Sequence, residues 1–300
     1  MRRIFIIVML LSLLRLLVSY FRLLGLSTKL KSAKKSVQKV MPNSAFPSSK
    51  QLEILNFFPP NVISRLFIDF SAIEVFSSCK SQVGQDLLAL LVNFAANETT
   101  KSLKTDNFFV EFGACDGQAY SNTWILEKYF GWKGILAEPG ISFQSKITQN
   151  RPNSRISFDA VDVKTGMTKT FSENLKMPSL SQLSIDSVDG PKSNDSAKNY
   201  PVNTISLQDL LIRFDAPSRI QFLSIDIEGN ELPVLKTLDF EKYSFELIVI
   251  EVANRKENQD TVGFLESKGY VYLKQLAQAS GADAWFIHES LNSGSLAALV

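Results

Sequence analysis

Short apolar runs alternate with helical patterns along the chain after about residue 80. Near-continuous apolar runs occur at residues 108–110, 134–137, 220–227 and 245–252, as expected of strands that are buried on both faces of a sheet. Shorter strand patterns occur at residues 156–161, 168–171, 202–205, 270–273 and 284–288. This alternation predicts an α/β fold with a mostly parallel sheet, helices on both faces and an antiparallel pair of strands at the C-terminal end.

Two stretches lack this alternation. Residues 172–201 are rich in Ser, Asp, Asn, Lys and Pro without periodicity, which predicts a long loop that covers a site or is a disordered insertion. Residues 29–60 begin with several lysines and continue with prolines and serines, a composition typical of a linker, here with a short helical piece. We therefore predict one globular domain at residues 61–300, with its core at 81–289.

Residues 1–28 form a third region. Residues 4–26 are apolar except for serines and two arginines, and as a helix they span about 34 Å, enough to cross a bilayer core of ~30 Å. The polar residues form one narrow stripe, so a signal anchor, an interfacial amphipathic helix and a cleaved signal peptide are alternatives. The lysines that follow favour membrane attachment with the C-terminal domain in the cytoplasm.

Composition excludes several classes of site. Basic residues crowd the first forty positions and the remainder is mildly acidic, so the domain does not present a general nucleic-acid surface. The chain has 1 His and 2 Cys, without a CxxC pair. These are too few for a zinc site of the usual ligands or for a disulfide framework. We predict neither a nucleic-acid partner nor a metal.

The most informative stretch is the glycine turn after the first apolar run. Glu111 ends that run, Gly113 and Gly117 follow, and Asp116 lies between the glycines. A strand, a glycine turn, a helix and a second strand that ends in Glu138 make up the first half of a nucleotide-binding sheet. The glycines would let the backbone approach a ligand, because a Cβ atom there would collide with it. A corner that merely permits the turn is the alternative.

The acids of this turn indicate the ligand. Carboxylates repel a pyrophosphate, whereas they suit an amino group or a sulfonium-bearing amino acid. Glu111 and Asp116 therefore favour S-adenosylmethionine over a nicotinamide dinucleotide. Glu138 lies where a carboxylate can accept hydrogen bonds from both hydroxyls of a ribose.

Carboxylates also follow the other predicted strands. Because the carboxyl ends of parallel strands meet at one edge of a sheet, these acids should lie close together. Unpaired acids are rarely buried without a reason, so the cluster predicts a site. The acids at strand ends are Glu111, Glu138, Asp159, Asp226, Glu228 and Glu251. Gln85 and Asp86, at the start of another predicted helix, either cap that helix or lie over the ligand.

The ordered motifs resemble the FkbM-type S-adenosylmethionine-dependent methyltransferases. The resemblance covers about residues 81–289 and is carried by the sequences SQVGQD, FVEFGACDGQAYSNTWILEKYFGWKGILAEP, LSIDIEGNEL, LIVIEV, KGYVYLKQL and DAWFI. It implies a class I methyltransferase fold, with S-adenosylmethionine as the cofactor and, in many members, a sugar hydroxyl as the methyl acceptor.

The resemblance also implies roles for individual residues. Glu111, Gly113 and Gly117 would hold the methionine end of the cofactor, Glu138 the ribose, and Asp159 with Ala160 the adenine. The full set of predicted cofactor-binding residues is Gln85, Asp86, Glu111, Gly113, Ala114, Asp116, Gly117, Glu138, Pro139, Asp159 and Ala160. The predicted catalytic residues, which would face the acceptor, are Asp226, Glu228 and Glu251.

One departure from the family pattern changes the expected chemistry. Family members commonly carry a histidine shortly after the acid of the fifth strand, whereas Glu251 is followed by Val-Ala-Asn-Arg. The one histidine, His288, lies after the last strand, so Asp226 or Glu228 is the better candidate for a base. Both acids could also bind a hard cation, but their spacing does not require one.

We therefore predict a membrane-tethered O-methyltransferase that acts on a small-molecule or glycan acceptor. A catalytically silent binding or trafficking protein on the same fold is the alternative, and a nicotinamide-dependent oxidoreductase is the third hypothesis.

Overall fold

A computed structural model describes residues 47–68, 72–97, 106–176, 181–183, 197–251, 255–281 and 283–299. The predicted membrane segment at residues 4–26 lies outside the described residues. Among the helices that are described, none is long and apolar enough to cross a bilayer.

In the described part of the chain, four helices precede the first strand: α1 (Ser49–Leu55), α2 (Pro60–Ile68), α3 (Ala72–Ser78) and α4 (Gln85–Ala96). Helix α1 is the short helical piece expected within the linker. Ser48 caps it by accepting a hydrogen bond from the Gln51 backbone, and the Gln51 side chain accepts one in return from the Ser48 N–H. Because Leu52 and Ile54 are buried in the core, the folded part begins before residue 61.

The remaining elements follow in the predicted alternation. They are β1 (Phe108–Phe112), α5 (Trp124–Phe130), β2 (Lys133–Ala137), α6 (Ile141–Asn150), β3 (Arg155–Ser157), β4 (Ala160–Val161), β5 (Thr168–Asn174), β6 (Gln182–Leu183), β7 (Ala197–Ile205), α7 (Leu207–Arg213), β8 (Arg219–Ile225), α8 (Glu231–Leu235), β9 (Ser244–Glu251), α9 (Arg255–Glu266), β10 (Tyr270–Tyr272), α10 (Lys274–Ser280) and β11 (Asp283–His288). Two short 3₁₀ helices, Glu289–Leu291 and Gly294–Leu299, end the described chain.

The main sheet has seven strands in the order β10-β11-β9-β8-β1-β2-β3. The pairs from β9 to β3 are parallel, and β11 is antiparallel to both of its neighbours. The predicted α/β fold, a mostly parallel sheet with a C-terminal antiparallel pair, is confirmed. Its order changes direction between β1 and β8, and ligands bind at such a point in open α/β sheets.

Both faces of this sheet are buried, which explains the near-continuous apolar runs. On β1, Phe109 packs into one core with helices α1 to α5, whereas Phe108 and Val110 pack into a second core with α7 and α8. From Phe222 on β8 and from Leu247 on β9, alternate apolar residues divide in the same way, as the two-residue period of a strand requires.

A second, four-stranded sheet has the order β4-β7-β5-β6. Strands β5 and β7 pair antiparallel along seven residues each, so the prediction of one continuous loop over residues 172–201 was wrong at both of its ends. Most side chains of these two strands are exposed or half-buried. Backbone pairing rather than burial therefore holds them, and the apolar pattern could not reveal them.

Candidate active site

The glycine turn between β1 and α5 is shaped by contacts within the protein. Gly113 has φ +69°, and a Cβ atom there would lie 2.1 Å from the backbone oxygen of Asp226. Gly117 has φ +76°, and its Cβ atom would lie 2.7 Å from Cγ of Arg151. Both residues need the left-handed conformation and the missing side chain. Close approach to other parts of the chain is therefore sufficient reason for both glycines, and the approach to a ligand stays a prediction.

Glu111, the last but one residue of β1, is surrounded by hydrogen-bond donors. Its Oε1 accepts from the backbone N–H of Asn122 at 2.6 Å, and its Oε2 accepts from the hydroxyls of Ser121 at 2.9 Å and Thr123 at 2.5 Å. Arg151 adds a cation 3.8 Å from Oε2. Burial raises the pKa of Glu111, although these partners act in the opposite direction.

Glu138, directly after β2, has a simpler environment. Its Oε2 accepts from the backbone N–H of Cys115 at 2.8 Å and its Oε1 from that of Gly140 at 2.7 Å. Among the described residues no cation forms an ion pair with it. Burial raises its pKa to about 7, against the two backbone hydrogen bonds. Each oxygen keeps a further lone pair that no donor within the described ranges occupies.

Glu138 lines the first of two cavities at the carboxyl edge of the sheet, which we call cavity 1. With its mouth it encloses about 900 Å³. Its apolar walls come from Phe112 of β1 and from four residues of the four-stranded sheet, which we call the small sheet: Ala160, Val161, Phe171 and Leu183. Polar groups at its floor and rim come from Glu138, Lys169, Asp226 and Glu228. An apolar slot with a few polar groups is typical of a small-molecule site.

The neighbouring cavity 2 is lined mostly by polar residues. Glu111, Ser224 and Val249 lie side by side on β1, β8 and β9 in the parallel register, and all three line this cavity. Its other polar walls come from Gln82, Gln85, Tyr120, Asn122, Asp226, Glu251 and Asp283. None of the described residues that line it is a lysine, an arginine or a histidine.

Phe112, Gly113, Cys115 and Asp226 line both cavities. The cavities therefore adjoin along one short partition, formed by the end of β1, the glycine turn and the residue that follows β8.

Asp226 is the central acid of this partition. Burial raises its pKa strongly, and the neighbouring carboxyl of Glu251 adds to the effect. Its Oδ1 is buried and has no hydrogen-bond donor within the described part of the chain. A buried acceptor of this kind is costly unless a ligand or water supplies a donor.

Glu228 completes a cluster with these two acids. Its backbone has φ +61°, an uncommon conformation for a residue with a side chain. Burial raises its pKa, and the charges of Glu251 and Glu231 add to that effect. One oxygen each of Asp226, Glu228 and Glu251 lie within 4.8 Å of one another, so a hard cation could be held between them. The prediction of no metal is not tested by this geometry.

The structure gathers most of the predicted site residues around the two cavities. Those that line cavity 1, cavity 2 or both are Gln85, Glu111, Gly113, Glu138, Pro139, Ala160, Asp226, Glu228 and Glu251. Ala114 and Gly117 belong to the turn without lining either cavity.

Three predicted acids lie outside both cavities and have partners within the fold. Asp86 is buried and accepts hydrogen bonds from the Lys80 N–H and from the N–H and hydroxyl of Ser81, so it fixes the chain before α4. Asp116 accepts from two backbone N–H groups of its own turn. Asp159 forms an ion pair with Arg213 at 2.5 Å.

Two residues that line cavity 2, Asn122 and Asp283, were not predicted from the sequence as site residues. Asn122 donates to Ser224 at 2.8 Å while its own Oδ1 is buried without a partner among the described residues. Asp283 starts β11 and accepts from Gln85 at 2.8 Å, and burial raises its pKa to about 7. Asn122 lies in the motif that contains the glycine turn, and Asp283 begins the motif DAWFI. Membership of these motifs was the one sign in the sequence that the two residues belong to the site. Cys115, left without a role, donates its N–H to Glu138.

Comparison with known proteins identifies the family. A family model described as "Methyltransferase FkbM domain" matches residues 111–272, a stretch that runs from the end of β1 to the end of β10 and includes more than half of the chain. A search of curated proteins found no match.

Two solved structures show weak likeness. Precorrin-6Y C5,15-methyltransferase from Geobacter metallireducens GS-15 is 13% identical, with a TM-score of 0.32 over 62% of this chain and 70% of that chain. The fibrillarin/Nop5p complex is 10% identical, with a TM-score of 0.34 over 65% and 79% of the two chains. At these values neither structure carries an argument about this chain. The family match does, and it shows that the chain belongs to the FkbM methyltransferase family.

Proposed function

We propose that this methyltransferase uses S-adenosylmethionine to methylate a hydroxyl group of a sugar or a similar uncharged acceptor. The observation that carries the proposal is the pair of adjoining cavities. One has apolar walls with a few charged groups, the other is polar, and buried acceptor oxygens without donors among the described residues lie at their partition and in the polar cavity.

The residues of cavity 1 fit the adenosine half of the cofactor. Glu138 has one unoccupied lone pair on each oxygen, so it can accept hydrogen bonds from both ribose hydroxyls. Ala160, Val161 and Phe171 supply an apolar slot for a flat base. When bound, S-adenosylmethionine supplies an electrophilic methyl group on a positively charged sulfonium, which the acids at the partition would favour.

The residues of cavity 2 fit an acceptor with several hydroxyl groups. The buried Oδ1 atoms of Asn122 and Asp226 lack donors, and such atoms are costly unless a ligand or water supplies one. A hydroxyl group is such a donor. A phosphate or carboxylate would instead meet Asp226, Glu251 and Asp283 without a cation among the described lining residues, so anionic acceptors are disfavoured.

The acid cluster can take the proton that the acceptor hydroxyl loses. Burial and the neighbouring carboxyl of Glu251 raise the pKa of Asp226, and the negative charge that remains on the cluster can accept the proton as the methyl group transfers. His288, the one histidine of the sequence, lies at the end of β11 and contacts Ser290. A carboxylate base therefore remains the proposal.

The proposal of a membrane tether rests on residues 4–26 alone. Their apolar length and the lysines after them support attachment with the catalytic domain in the cytoplasm. In intact vesicles whose cytoplasmic side faces outward, added protease should digest the domain. Digestion only after the bilayer is permeabilised would mean that the domain faces the lumen, and would contradict this placement.

Calorimetric titration of the folded protein with S-adenosylmethionine tests the cofactor. Absence of binding would overturn the proposal. Transfer of a labelled methyl group to neutral oligosaccharides, compared with the corresponding sugar phosphates, tests the acceptor class, and the neutral compounds should be preferred.

The Asp226→Asn variant then separates the enzyme from its alternative. We expect it to bind S-adenosylmethionine but to lose turnover by about 10²-fold or more, as for loss of a group that takes part in proton transfer. Cofactor binding without turnover in the wild-type protein, across both acceptor classes, would favour the catalytically silent protein.

A further inference from the structure

We propose that Arg151 is a positioning residue of the methyltransferase site. It follows the C-terminal end of α6 and lines neither cavity 1 nor cavity 2, yet it fixes the turn at residues 113–123 that supplies walls to both. Its effect on cofactor affinity rests on the proposed function, whereas its effect on the turn does not.

The guanidinium group of Arg151 contacts the turn at three points. Nη1 donates to the backbone oxygen of Gly117 and to the hydroxyl of Ser121, both at 3.1 Å. Nη2 donates to the hydroxyl of Thr123 at 2.9 Å. Nε donates to Glu127 in the first turn of α5 at 2.7 Å. The fixed fork of an arginine can hold these points in one geometry, which a single ammonium group could not.

Arg151 is also one of the largest fully buried side chains, with 1% of its surface exposed. A buried cation is tolerated only when it is paired and hydrogen-bonded. Glu127 and Glu111 supply the charges at 2.7 Å and 3.8 Å, and the ring of Phe109 lies 5.2 Å from the guanidinium carbon. The position is therefore built for arginine.

The end of α6 is shaped to receive the turn. A Cβ atom on Gly117 would lie 2.7 Å from Arg151 Cγ and 2.9 Å from Ile147 Cγ1, so the backbone of the turn rests directly on this helix. Asn150 adds a hydrogen bond of 2.8 Å to the backbone oxygen of Asp116. Three neighbouring side chains of one helix end thus support the same turn.

The position of the turn matters because its residues contact groups in both cavities. Cys115 and Tyr120 have φ +48° and +63°, conformations that persist only when the surroundings hold them. The N–H of Cys115 is a partner of Glu138, and Asn122 holds Glu111 and Ser224. A shift of the turn would therefore move contact groups in both cavities together.

Hydrogen–deuterium exchange of the unliganded protein tests the inference first. In Arg151→Lys the amides of residues 113–123 should exchange about tenfold faster or more, because several hydrogen bonds to a charged group are lost. Amides of β8 and β9 should change much less. Arg155→Lys, an exposed arginine four positions later, is the matched control and should change neither region.

Calorimetry provides the second measurement. Arg151→Lys should bind S-adenosylmethionine about tenfold more weakly than the wild type, a loss equivalent to about one such hydrogen bond. In Arg151→Ala, guanidinium ion at low millimolar concentration should restore part of the lost affinity. It should not restore affinity in Glu138→Gln.

Each outcome decides the inference. Unchanged exchange in residues 113–123, or faster exchange spread evenly over β8 and β9, would overturn a positioning role. If the turn exchanges faster in Arg151→Lys but cofactor affinity is unchanged, Arg151 contributes only to stability. That result would also overturn the positioning role. If the wild-type protein itself does not bind S-adenosylmethionine, the proposed function fails, while the exchange result still decides whether Arg151 fixes the turn.

Discussion

Glu111 and Glu138 end neighbouring strands, are equally buried and carry the same functional group, yet their surroundings differ. Glu111 accepts three hydrogen bonds from the turn and lies beside Arg151. Glu138 accepts two hydrogen bonds from backbone N–H groups and faces cavity 1. The carboxylate oxygens of Glu111 are occupied by donors of the protein although the residue lines cavity 2, whereas those of Glu138 still have room for a ligand.

This difference separates two uses of a strand-end acid. A carboxylate with side-chain donors and a buried cation joins parts of the fold, because every partner would be left unpaired without it. A carboxylate held by backbone alone is oriented but not saturated, as a ligand contact must be. Four experiments test this distinction.

Removal of the Glu111 side chain should give the largest effect. In Glu111→Ala, Arg151 loses one of its charges and three donors lose their acceptor, so the free energy of unfolding should fall by about 3–5 kcal/mol. Glu138→Ala is the matched control and should cost at least about 1 kcal/mol less, since it leaves only two backbone groups unpaired. Urea denaturation of both variants at pH 8 measures this. Equal losses would remove the distinction.

The pH dependence of stability should give the next effect. The pKa of Glu138 is about 7 in the folded protein against an ordinary 4.5, so the native state holds a proton that the unfolded chain releases first. Its contribution to stability is full below about pH 4.5, declines as the pH rises towards 7 and is flat above it.

This decline should amount to about 3 kcal/mol and be absent from Glu138→Gln. Denaturation of wild type and variant from pH 4.5 to 8 measures the difference between the two curves. Parallel curves would contradict the assignment of this group. Other buried acids contribute equally to both proteins and cancel.

Cofactor affinity should show a smaller effect at Glu138. Glu138→Gln should bind S-adenosylmethionine about tenfold more weakly at pH 8, because an ionised acceptor is replaced by a neutral one. Wild-type affinity should also fall as the pH drops below about 7, where the carboxylate gains a proton, and the variant should lack this slope. Isothermal titration at several pH values decides; a slope that the variant retains would assign it to another group.

Asp159 should show the smallest effect. Its ion pair with Arg213 lies at the surface, and such pairs contribute little. Asp159→Asn should therefore change the free energy of unfolding by about 0.5 kcal/mol or less and leave cofactor affinity within about twofold of the wild type. A large loss of affinity would instead support the role at the adenine that the family resemblance implies.

The sequence allowed the main sheet to be predicted because burial on both faces leaves an apolar run, and strand ends follow from it. It also placed Glu138 and Asp226 at one edge. It could not show which acids face a cavity, since that depends on distant partners. Asp159 meets Arg213, 54 positions away, and Asp86 is held by the loop before its helix.

Two further features had no readable signal. The small sheet is stabilised by backbone pairing between polar strands such as β5 and β7, so no apolar period marks it. Arg151 is almost fully buried, although arginines are mostly exposed. Only the three-dimensional arrangement of Glu111, Glu127 and the turn explains its burial.

The antiparallel strand β11 has a consequence for the order of assembly. Because it runs against its neighbours, its first residue, Asp283, reaches the edge where β9 ends, opposite Glu251. The hydrogen bond between Asp283 and Gln85 joins positions 198 residues apart, a contact whose loop must close late in folding. During synthesis, cavity 1 can close once residues 112–230 have emerged. Cavity 2 must wait for β11, so a nascent chain would form the proposed cofactor slot before the proposed acceptor slot.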